Sequence, residues 1–248
     1  MLEDFYDESE PIVHPEAFYG KKKHLIDKCL IIFSSEIHSY LLSSYGCEQI
    51  GLITACNGDT PIYTLNYKGE MIGFYLTAIS SAAASSYCAE ANWITGATKF
   101  IMFGSCGSLD QSKTRGHFII PTESYRGEGC SFYYAKAADY ITIPTADKLE
   151  QIFLDLKAPY VKGRVWTTDS MLRETRNLVV KRKEEGCIAM EMVLAGVQAL
   201  CDFYGFTLYD FLEAGDVLSE SGYVAEGLHT ANHDLYKLNI ALEIAARI

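Results

Sequence analysis

A Gly/Ser-rich stretch, Gly104-Ser105-Cys106-Gly107-Ser108, follows the apolar segment 99–103. At the end of a strand in an α/β fold, such a stretch turns the chain and exposes backbone N–H groups and a hydroxyl, which together bind an anion. A tight turn without any ligand uses the same residue types. The sequence therefore predicts a turn here that either binds an anion or only reverses the chain.

Asp216 is a second candidate for chemistry. It follows the apolar segment 206–212, in the stretch Glu213-Ala214-Gly215-Asp216. A carboxyl group in a partly apolar pocket can have its pKa raised enough to donate a proton near neutral pH. The alternative is a solvated loop aspartate, which is common beside glycine.

Histidine and cysteine spacing predicts no metal site and no organic cofactor. Of six histidines, only His229 and His233 lie four residues apart, and no glutamate stands between them at HExxH spacing. We interpret that pair as part of a solvated helix face. The eight cysteines are dispersed without a CxxC pair, which indicates free buried thiols. No dinucleotide fingerprint occurs.

These residues must be positioned by strands that alternate with helices. A helix-period apolar stripe covers 228–245, a second covers 191–204 and stops near Gly205, and small residues at 80–91 suggest a helix packed on a sheet. Lys68-Gly69 indicates a hairpin. Strands are predicted at 29–33, 50–56, 62–67, 71–78, 99–103, 117–121, 160–166 and 206–212. The pattern predicts an α/β sandwich with antiparallel pairs from 50 to 78.

Composition narrows the class of protein. No repeat or Pro/Gly/Ser-rich linker divides the chain, so residues 1–248 are predicted to form a single domain. The formal net charge of -11 argues against a nucleic-acid partner. The first ten residues carry five acids and no base, and the longest purely apolar run is 29–33, far short of the roughly 20 residues of a membrane helix. We therefore expect a cytoplasmic protein without a membrane partner.

Four segments, in order, resemble the nucleoside phosphorylase family, which includes purine nucleoside phosphorylases, uridine phosphorylases and hydrolytic nucleosidases. They are GSCGSL at 104–109, PTESYRGEG at 121–129, GRVWTTDSMLRET at 163–175, and AMEM at 189–192 followed by AGD at 214–216. The resemblance implies a three-layer αβα sandwich around a mixed, partly barrel-like sheet, assembled as a homo-oligomer, either a dimer or a hexamer. It also implies a pentosyltransferase that cleaves the N-glycosidic bond of a nucleoside, with phosphate as co-substrate, to give free base and sugar 1-phosphate.

For the sugar, the family usually carries Glu-Met-Glu, whose second Glu holds ribose hydroxyls. The resemblance places Glu191 on the first Glu, Met192 on the Met and Val193 on the second Glu. Valine accepts no hydrogen bond, so the resemblance leaves Glu191 as the sugar-binding and catalytic carboxylate. The alternative for Glu191 is a carboxylate held at a helix N-terminus by the dipole.

For the base, the resemblance places Asp216 where purine-cleaving relatives keep the acid that protonates the leaving ring. Met171 takes the position of an aromatic residue that stacks on the base, which would make the stacking softer. Arg173 lies where uridine-cleaving relatives read the pyrimidine edge, and Thr168 belongs to the same implied substrate site. Purine and pyrimidine therefore both remain open as the base.

For the acceptor, the family uses arginines that this chain lacks: Thr64 and Met102 occupy two of those positions, and no Gly-Asp-Pro loop with its arginine follows the first strand. An arginine clamp is the strong, bidentate way to hold a phosphate dianion. The remaining candidates for phosphate binding are Ser105, the backbone of Gly104 and Gly107, His38 when protonated, and Arg126. Two alternatives follow, namely a hydrolytic nucleosidase and a non-catalytic protein that binds a nucleoside or base.

Overall fold

The computed structural model describes residues 4–248, so the first three residues of the acidic N-terminal segment lie outside the description. The helices are α1 (Glu16–Tyr19), α2 (Ser35–Ser44), α3 (Ser81–Thr95), α4 (Gln111–Thr114), α5 (Ala146–Leu156), α6 (Arg176–Glu184), α7 (Leu194–Tyr204), α8 (Leu228–Asn232) and α9 (Leu235–Ala245). The strands are β1 (Lys28–Ile32), β2 (Glu48–Ile53), β3 (Thr60–Tyr67), β4 (Glu70–Leu76), β5 (Lys99–Ser108), β6 (Phe118–Gly127), β7 (Tyr140–Thr142), β8 (Tyr160–Thr168), β9 (Cys187–Glu191), β10 (Thr207–Ser219) and β11 (Gly222–Val224).

The strands form one mixed sheet that closes on itself over part of its width. The open part runs β2-β3-β4-β1-β5, and β5 then joins a ring of strands in the order β5-β10-β6-β8-β9. β1 pairs in parallel with both β4 and β5, whereas β2, β3 and β4 pair in antiparallel fashion. The expected mixed, partly barrel-like sheet is confirmed.

Helices cover both faces of the sheet, which confirms the three-layer αβα arrangement. On one face, α3 and α7 contribute small and aliphatic residues to a buried cluster that includes Ala84, Cys88 and Leu200. On the other face, α2, α5 and α9 bury residues such as Leu41, Phe153 and Leu242. Every residue of β1 is buried, as expected for a strand with helices on both sides. None of the helices between residues 4 and 248 has the length and apolar character needed to cross a bilayer.

The predicted hairpin at Lys68-Gly69 is confirmed, since it joins β3 to β4. Both residues have positive φ, 54° for Lys68 and 88° for Gly69. Two consecutive residues with positive φ are what a two-residue turn needs to follow the twist of its strands.

The predicted turn at Gly104–Ser108 is wrong, because this stretch continues β5. It pairs in parallel with β10, which itself runs past the predicted end at residue 212 to Ser219. β1 pairs with β5 as far as Met102, and β9 pairs with it from Gly107. Between these two points, one edge of residues 103–106 is paired with no neighbouring strand among the described residues. The backbone N–H and C=O groups on that edge are therefore not used in sheet pairing, and they lie along a strand rather than in a turn.

Two predicted helices have different boundaries in the structure. The helix predicted for 191–204 begins at Leu194, because Glu191 is the last residue of β9. The helix predicted for 228–245 is two helices, α8 and α9, because Asp234 interrupts it. The Asp234 carboxylate accepts hydrogen bonds from the N–H groups of Tyr236 and Lys237 and so starts α9.

Candidate active site

A cavity of about 370 Å³ opens where β5, β9 and β10 meet beneath α8 and α9. Seven of the residues predicted from the sequence line this cavity, and four do not. The lining residues are Gly104, Ser105, Gly107, Met171, Glu191, Met192 and Asp216. The other four are Thr168, Arg173, Arg126 and His38. The fold thus brings most of the predicted site together, and the roles of these residues remain predictions.

Asp216 enters the cavity through an irregularity in β10. The pairing with β5 shifts register between Ala214 and Asp216, and Asp216 then lies opposite Gly107. The side chain is 8% exposed. Burial raises the pKa of the Asp216 carboxyl, while a hydrogen bond from the Tyr223 hydroxyl lowers it. This is the partly apolar carboxyl environment that the sequence suggested.

Glu174 lines the same cavity, although it was not among the residues predicted for the site. Burial, together with the negative charge of Asp216, raises the pKa of Glu174 to about 7. Its Oε1 atom is buried and has no hydrogen-bond partner among the described residues. The available signal was its place in the 163–175 segment, directly after Arg173. From the sequence alone, a buried glutamate in this loop cannot be distinguished from a solvated one; the fold shows that Glu174 shares a cavity with Asp216.

Gly107 creates the space in which Asp216 lies. A Cβ atom at position 107 would lie 2.6 Å from Cδ1 of Leu218, 2.8 Å from Sδ of Met190 and 3.3 Å from Oδ2 of Asp216. A Cβ atom at Gly104 would meet only ordinary contacts, with the Phe33 ring at 3.7 Å. A side chain at position 107 would therefore displace its neighbours in the site, whereas one at position 104 would not.

The Glu191 carboxylate begins α7. It accepts hydrogen bonds from the N–H groups of Val193 at 2.6 Å and Leu194 at 2.9 Å, and from the hydroxyl of Thr167. Burial raises the pKa of Glu191 to about 7 although these hydrogen bonds lower it. The geometry matches the interpretation of a carboxylate at a helix N-terminus, and it also leaves Glu191 at the cavity wall.

The cavity wall around Glu191 is apolar. Met190, Met192 and Val193 line it, and Val193 is buried. The position at which the resemblance expects a second glutamate therefore presents hydrocarbon to the cavity, which accepts no hydrogen bond from a sugar hydroxyl.

Asp210 is a further buried acid that lines the cavity, and it was not among the residues predicted for the site. It is fully buried, and neither carboxyl oxygen has a hydrogen-bond partner among the described residues. Burial raises the pKa of Asp210 well above its ordinary value, with a smaller contribution from the charge of Glu191. In the sequence, Asp210 is hidden inside the apolar strand segment 206–212.

Lys237 is the one lysine or arginine among the described residues that line the cavity. It is 1% exposed, its Nζ donates a hydrogen bond to the carbonyl of Ala231, and the same atom lies 3.5 Å from Oε2 of Glu213. Burial lowers the pKa of Lys237, and the Glu213 charge raises it. Lys237 was not predicted as a site residue because it stands next to Leu238 in the apolar stripe of α9.

Hydroxyl groups cluster beside α8. The Ser105 hydroxyl donates a hydrogen bond to Oδ1 of Asn232, and the Ser34 hydroxyl oxygen lies 2.7 Å from Nδ1 of His233. All four residues line the cavity. Glu36, His229 and His233 lie together beside them and are the described residues whose side chains could hold a metal ion.

A family model described as the phosphorylase superfamily matches residues 40–214. The chain belongs to the phosphorylase superfamily. It is 23% identical over 190 residues to a DeoD-type purine nucleoside phosphorylase of Exiguobacterium sibiricum, covering 75% of this chain and 80% of the relative. It is 24% identical over 184 residues to a guanosine phosphorylase of Halorubrum lacusprofundi, covering 73% of each. A DeoD-type purine nucleoside phosphorylase of Bacillus cytotoxicus is 25% identical over 191 residues, covering 74% of this chain and 79% of the relative. The resemblance to this family is confirmed.

In this phosphorylase-superfamily chain, two residues predicted to help with phosphate are engaged elsewhere. Arg126 donates hydrogen bonds to the Ser131 hydroxyl and to two backbone carbonyls, and its guanidinium lies over the Phe132 ring. His38 packs against the rings of Tyr63 and Phe74, and burial lowers its pKa, which disfavours the protonated form. The same interactions hold both side chains away from the cavity.

The other two predicted residues outside the cavity belong to the 163–175 segment. The Thr168 hydroxyl accepts a hydrogen bond from the N–H of Ser170, and Arg173 is exposed. Met102, at the position of an expected arginine, is buried and does line the cavity. Positive charge at the cavity therefore comes from Lys237 rather than from position 102.

Proposed function

We propose that this protein cleaves the N-glycosidic bond of a purine nucleoside and transfers the sugar to phosphate. The observation that carries the proposal is the pair of carboxyl groups of Asp216 and Glu174 in one cavity, with both pKa values raised. Such a pair retains a proton near neutral pH, which a departing base requires. Membership of the superfamily and the names of its purine nucleoside and guanosine phosphorylase relatives support the same reaction class.

In the proposed reaction, the bond between the anomeric carbon and the base nitrogen breaks and its electron pair moves to the base. Asp216 donates a proton to the base ring, which leaves as the neutral purine. A phosphate oxygen then forms the new bond to the anomeric carbon and gives sugar 1-phosphate. The protein lowers the barrier by positioning the reactants and by protonating the leaving group. Met171 lines the cavity and would pack on the base.

We assign the acceptor end of the cavity to Lys237 and Ser105. Lys237 supplies a positive charge, and Ser105 supplies a hydroxyl beside the open edge of β5. A single lysine binds a phosphate dianion less strongly than an arginine clamp, since each lost charged hydrogen bond costs about 1.5 to 3 kcal/mol. Phosphate is therefore expected to bind weakly.

Hydrolysis is the second candidate reaction, and the charge balance of the cavity favours it. Glu174, Glu191, Asp210 and Asp216 line the cavity together with one lysine. Any of these acids that is ionised repels a phosphate dianion but not water. Attack by water would release free base and free sugar.

A product assay separates the candidates. The purified protein is incubated with inosine, guanosine, adenosine or uridine while phosphate is varied from zero, and base, sugar 1-phosphate and free sugar are measured. Purine release with sugar 1-phosphate supports the proposal. Free sugar without phosphate indicates the hydrolytic branch, and cleavage of uridine alone contradicts the purine assignment. Nucleoside binding without any product indicates a protein that has kept the pocket and lost catalysis.

A further inference from the structure

Three potential metal ligands from two separate parts of the chain meet at the rim of the cavity. They are Glu36 in α2, His229 in α8 and His233 directly after α8, and their ligand atoms all lie within 4.8 Å of one another. Nε2 of His233 lies 3.6 Å from Oε1 of Glu36, and the two imidazole rings are 4.8 Å apart between centroids. We propose that Glu36, His229 and His233 form a binding site for a divalent transition-metal ion of the zinc type.

The donor set suits such an ion. Two imidazole nitrogens and one carboxylate oxygen are ligands that Zn²⁺ accepts at about 2.0 to 2.2 Å, with a further position left for water or another ligand. In tetrahedral geometry, ligand atoms at these bond lengths are about 3.4 Å apart. The present separations are therefore up to about 1.4 Å too long. Glu36 and His229 are both exposed, so their side chains have room to close around an ion.

His233 is oriented as metal-binding histidines are. Its Nδ1 atom lies 2.7 Å from the hydroxyl oxygen of Ser34, and its Nε2 atom faces Glu36. A hydrogen bond from Nδ1–H to a neighbouring oxygen fixes the ring and leaves the Nε2 lone pair for the metal. Ser34 is itself held in place, because its oxygen also accepts a hydrogen bond from the N–H of Ile37 and caps α2.

The position of the cluster gives it a role beyond its own residues. His233 and Ser34 line the cavity. Among the described lining residues, Lys237 is the one lysine or arginine. A dication bound to the cluster would add positive charge at the end of the cavity that is lined by the hydroxyl groups of Ser34 and Ser105. The binding of the ion does not depend on the proposed reaction, so it can be tested without any activity assay.

The competing interpretation is a surface contact between histidine and glutamate that holds no metal. Calorimetric titration of the metal-free protein with Zn²⁺ distinguishes the two. Cys56 is a free, exposed cysteine, and thiolates are zinc ligands, so every protein in the comparison carries Cys56→Ser to remove that competing ligand. The test variants are Glu36→Gln and His229→Ala, and the matched control is His117→Ala, an exposed histidine that is not part of the cluster.

We expect one Zn²⁺ to bind per chain and to raise the melting temperature. Glu36→Gln and His229→Ala should each weaken Zn²⁺ binding by about 100-fold or more. Loss of a residue that only hydrogen-bonds to a metal ligand typically weakens binding by about 10- to 100-fold. His117→Ala should bind as the parent does. With Co²⁺ in place of Zn²⁺, the spectrum should show nitrogen and oxygen ligands without a thiolate charge-transfer band. Absence of one-to-one binding, a thiolate band, or equal affinity in all variants would overturn the proposal.

Discussion

The carboxyl groups of Asp216 and Glu174 line one cavity, and the charge of Asp216 adds to burial in raising the pKa of Glu174 to about 7. Two acids that interact in this way hold their last proton as a pair rather than individually. The relationship connects β10 to the loop before α6, which are far apart in the sequence.

The first prediction concerns the pH dependence of base release. Since the proposed reaction needs the protonated pair, the rate should fall as the pH rises through about 7. Glu174→Gln removes the carboxyl whose pKa is raised to about 7 and which holds the last proton of the pair, so the fall should move to lower pH. Rates of purine release between pH 5 and 9 for both proteins check this. An unchanged profile in Glu174→Gln would show that the pair does not hold the reacting proton.

The second prediction assigns the proton donor. Asp216→Asn keeps the shape of the side chain but removes its acidic proton, so turnover should fall by about 100-fold or more while affinity for free base changes little. Asp155→Asn, on the exposed surface of α5, is the matched control and should have full activity. Full activity of Asp216→Asn on purine nucleosides would remove Asp216 from this role.

The third prediction uses the contrast between two glycines of β5. Alanine at Gly107 would push its Cβ against Met190 and Leu218 and displace Asp216, whereas alanine at Gly104 would meet only ordinary contacts. Gly107→Ala should lower kcat/KM by about 10- to 100-fold, because small displacements of reacting groups are costly. Gly104→Ala should be nearly neutral. Equal effects of the two substitutions would mean that side-chain space at Gly107 does not position the acid.

Much of this fold was predictable, because its signals are local. The motifs of the 104–109, 163–175 and 189–192 segments indicated the family, and the apolar periodicity indicated both helix layers. The continuation of β5 through Gly104 was not predictable from the segment, since glycine and serine favour turns. Its extended conformation depends on pairing with β10, which is about a hundred residues away.

The buried charges were the hardest features to find. Asp210 and Lys237 stand among apolar residues in their elements, so periodicity alone assigns those positions to the core. His229 and His233 were visible as a pair, but Glu36 joins them only through the packing of α2 beside α8. In each case the chemistry depends on contacts between residues far apart in the sequence, which spacing does not report.

The fourth prediction is that stability increases as the pH falls from 8 to about 5.5. Burial raises the pKa of Glu191 and Glu213 to about 7 and raises that of Asp210 well above its ordinary value, so the folded state binds more protons than the unfolded state in this range. The free energy of unfolding therefore decreases as the pH rises through these pKa values, by a total on the order of a few kcal/mol. Burial lowers the pKa of His38, so this single histidine changes the free energy of unfolding in the opposite direction.

Urea unfolding at pH 5.5, 7 and 8 measures this trend. Asp210→Asn cannot ionise, so its stability should depend less on pH than that of the parent, and the difference should be largest at pH 8. A stability that rises steadily from pH 5.5 to 8 would show that these acids are ionised at little cost in the folded protein.

The fifth prediction concerns the acceptor. Lys237 is the one lysine or arginine among the described residues lining the cavity, and its charge is partly balanced by Glu213 at 3.5 Å. Phosphorolysis by the parent should therefore show a weak dependence on phosphate that does not saturate at millimolar concentrations. Lys237→Met removes the charge at similar length, so the rate at a fixed low phosphate concentration should fall by about 10-fold or more, in line with about 1.5 to 3 kcal/mol for one charged hydrogen bond.

Two controls make this result specific. Lys181→Met, on the exposed surface of α6, should leave the phosphate dependence unchanged. Because loss of Lys237 leaves the partly buried Glu213 without its cation, melting temperatures must show that Lys237→Met is folded under the assay conditions. Saturation of the parent at micromolar phosphate would mean that a stronger cation than Lys237 reaches the cavity. Equal rates for the parent and a folded Lys237→Met variant would place the acceptor away from this lysine.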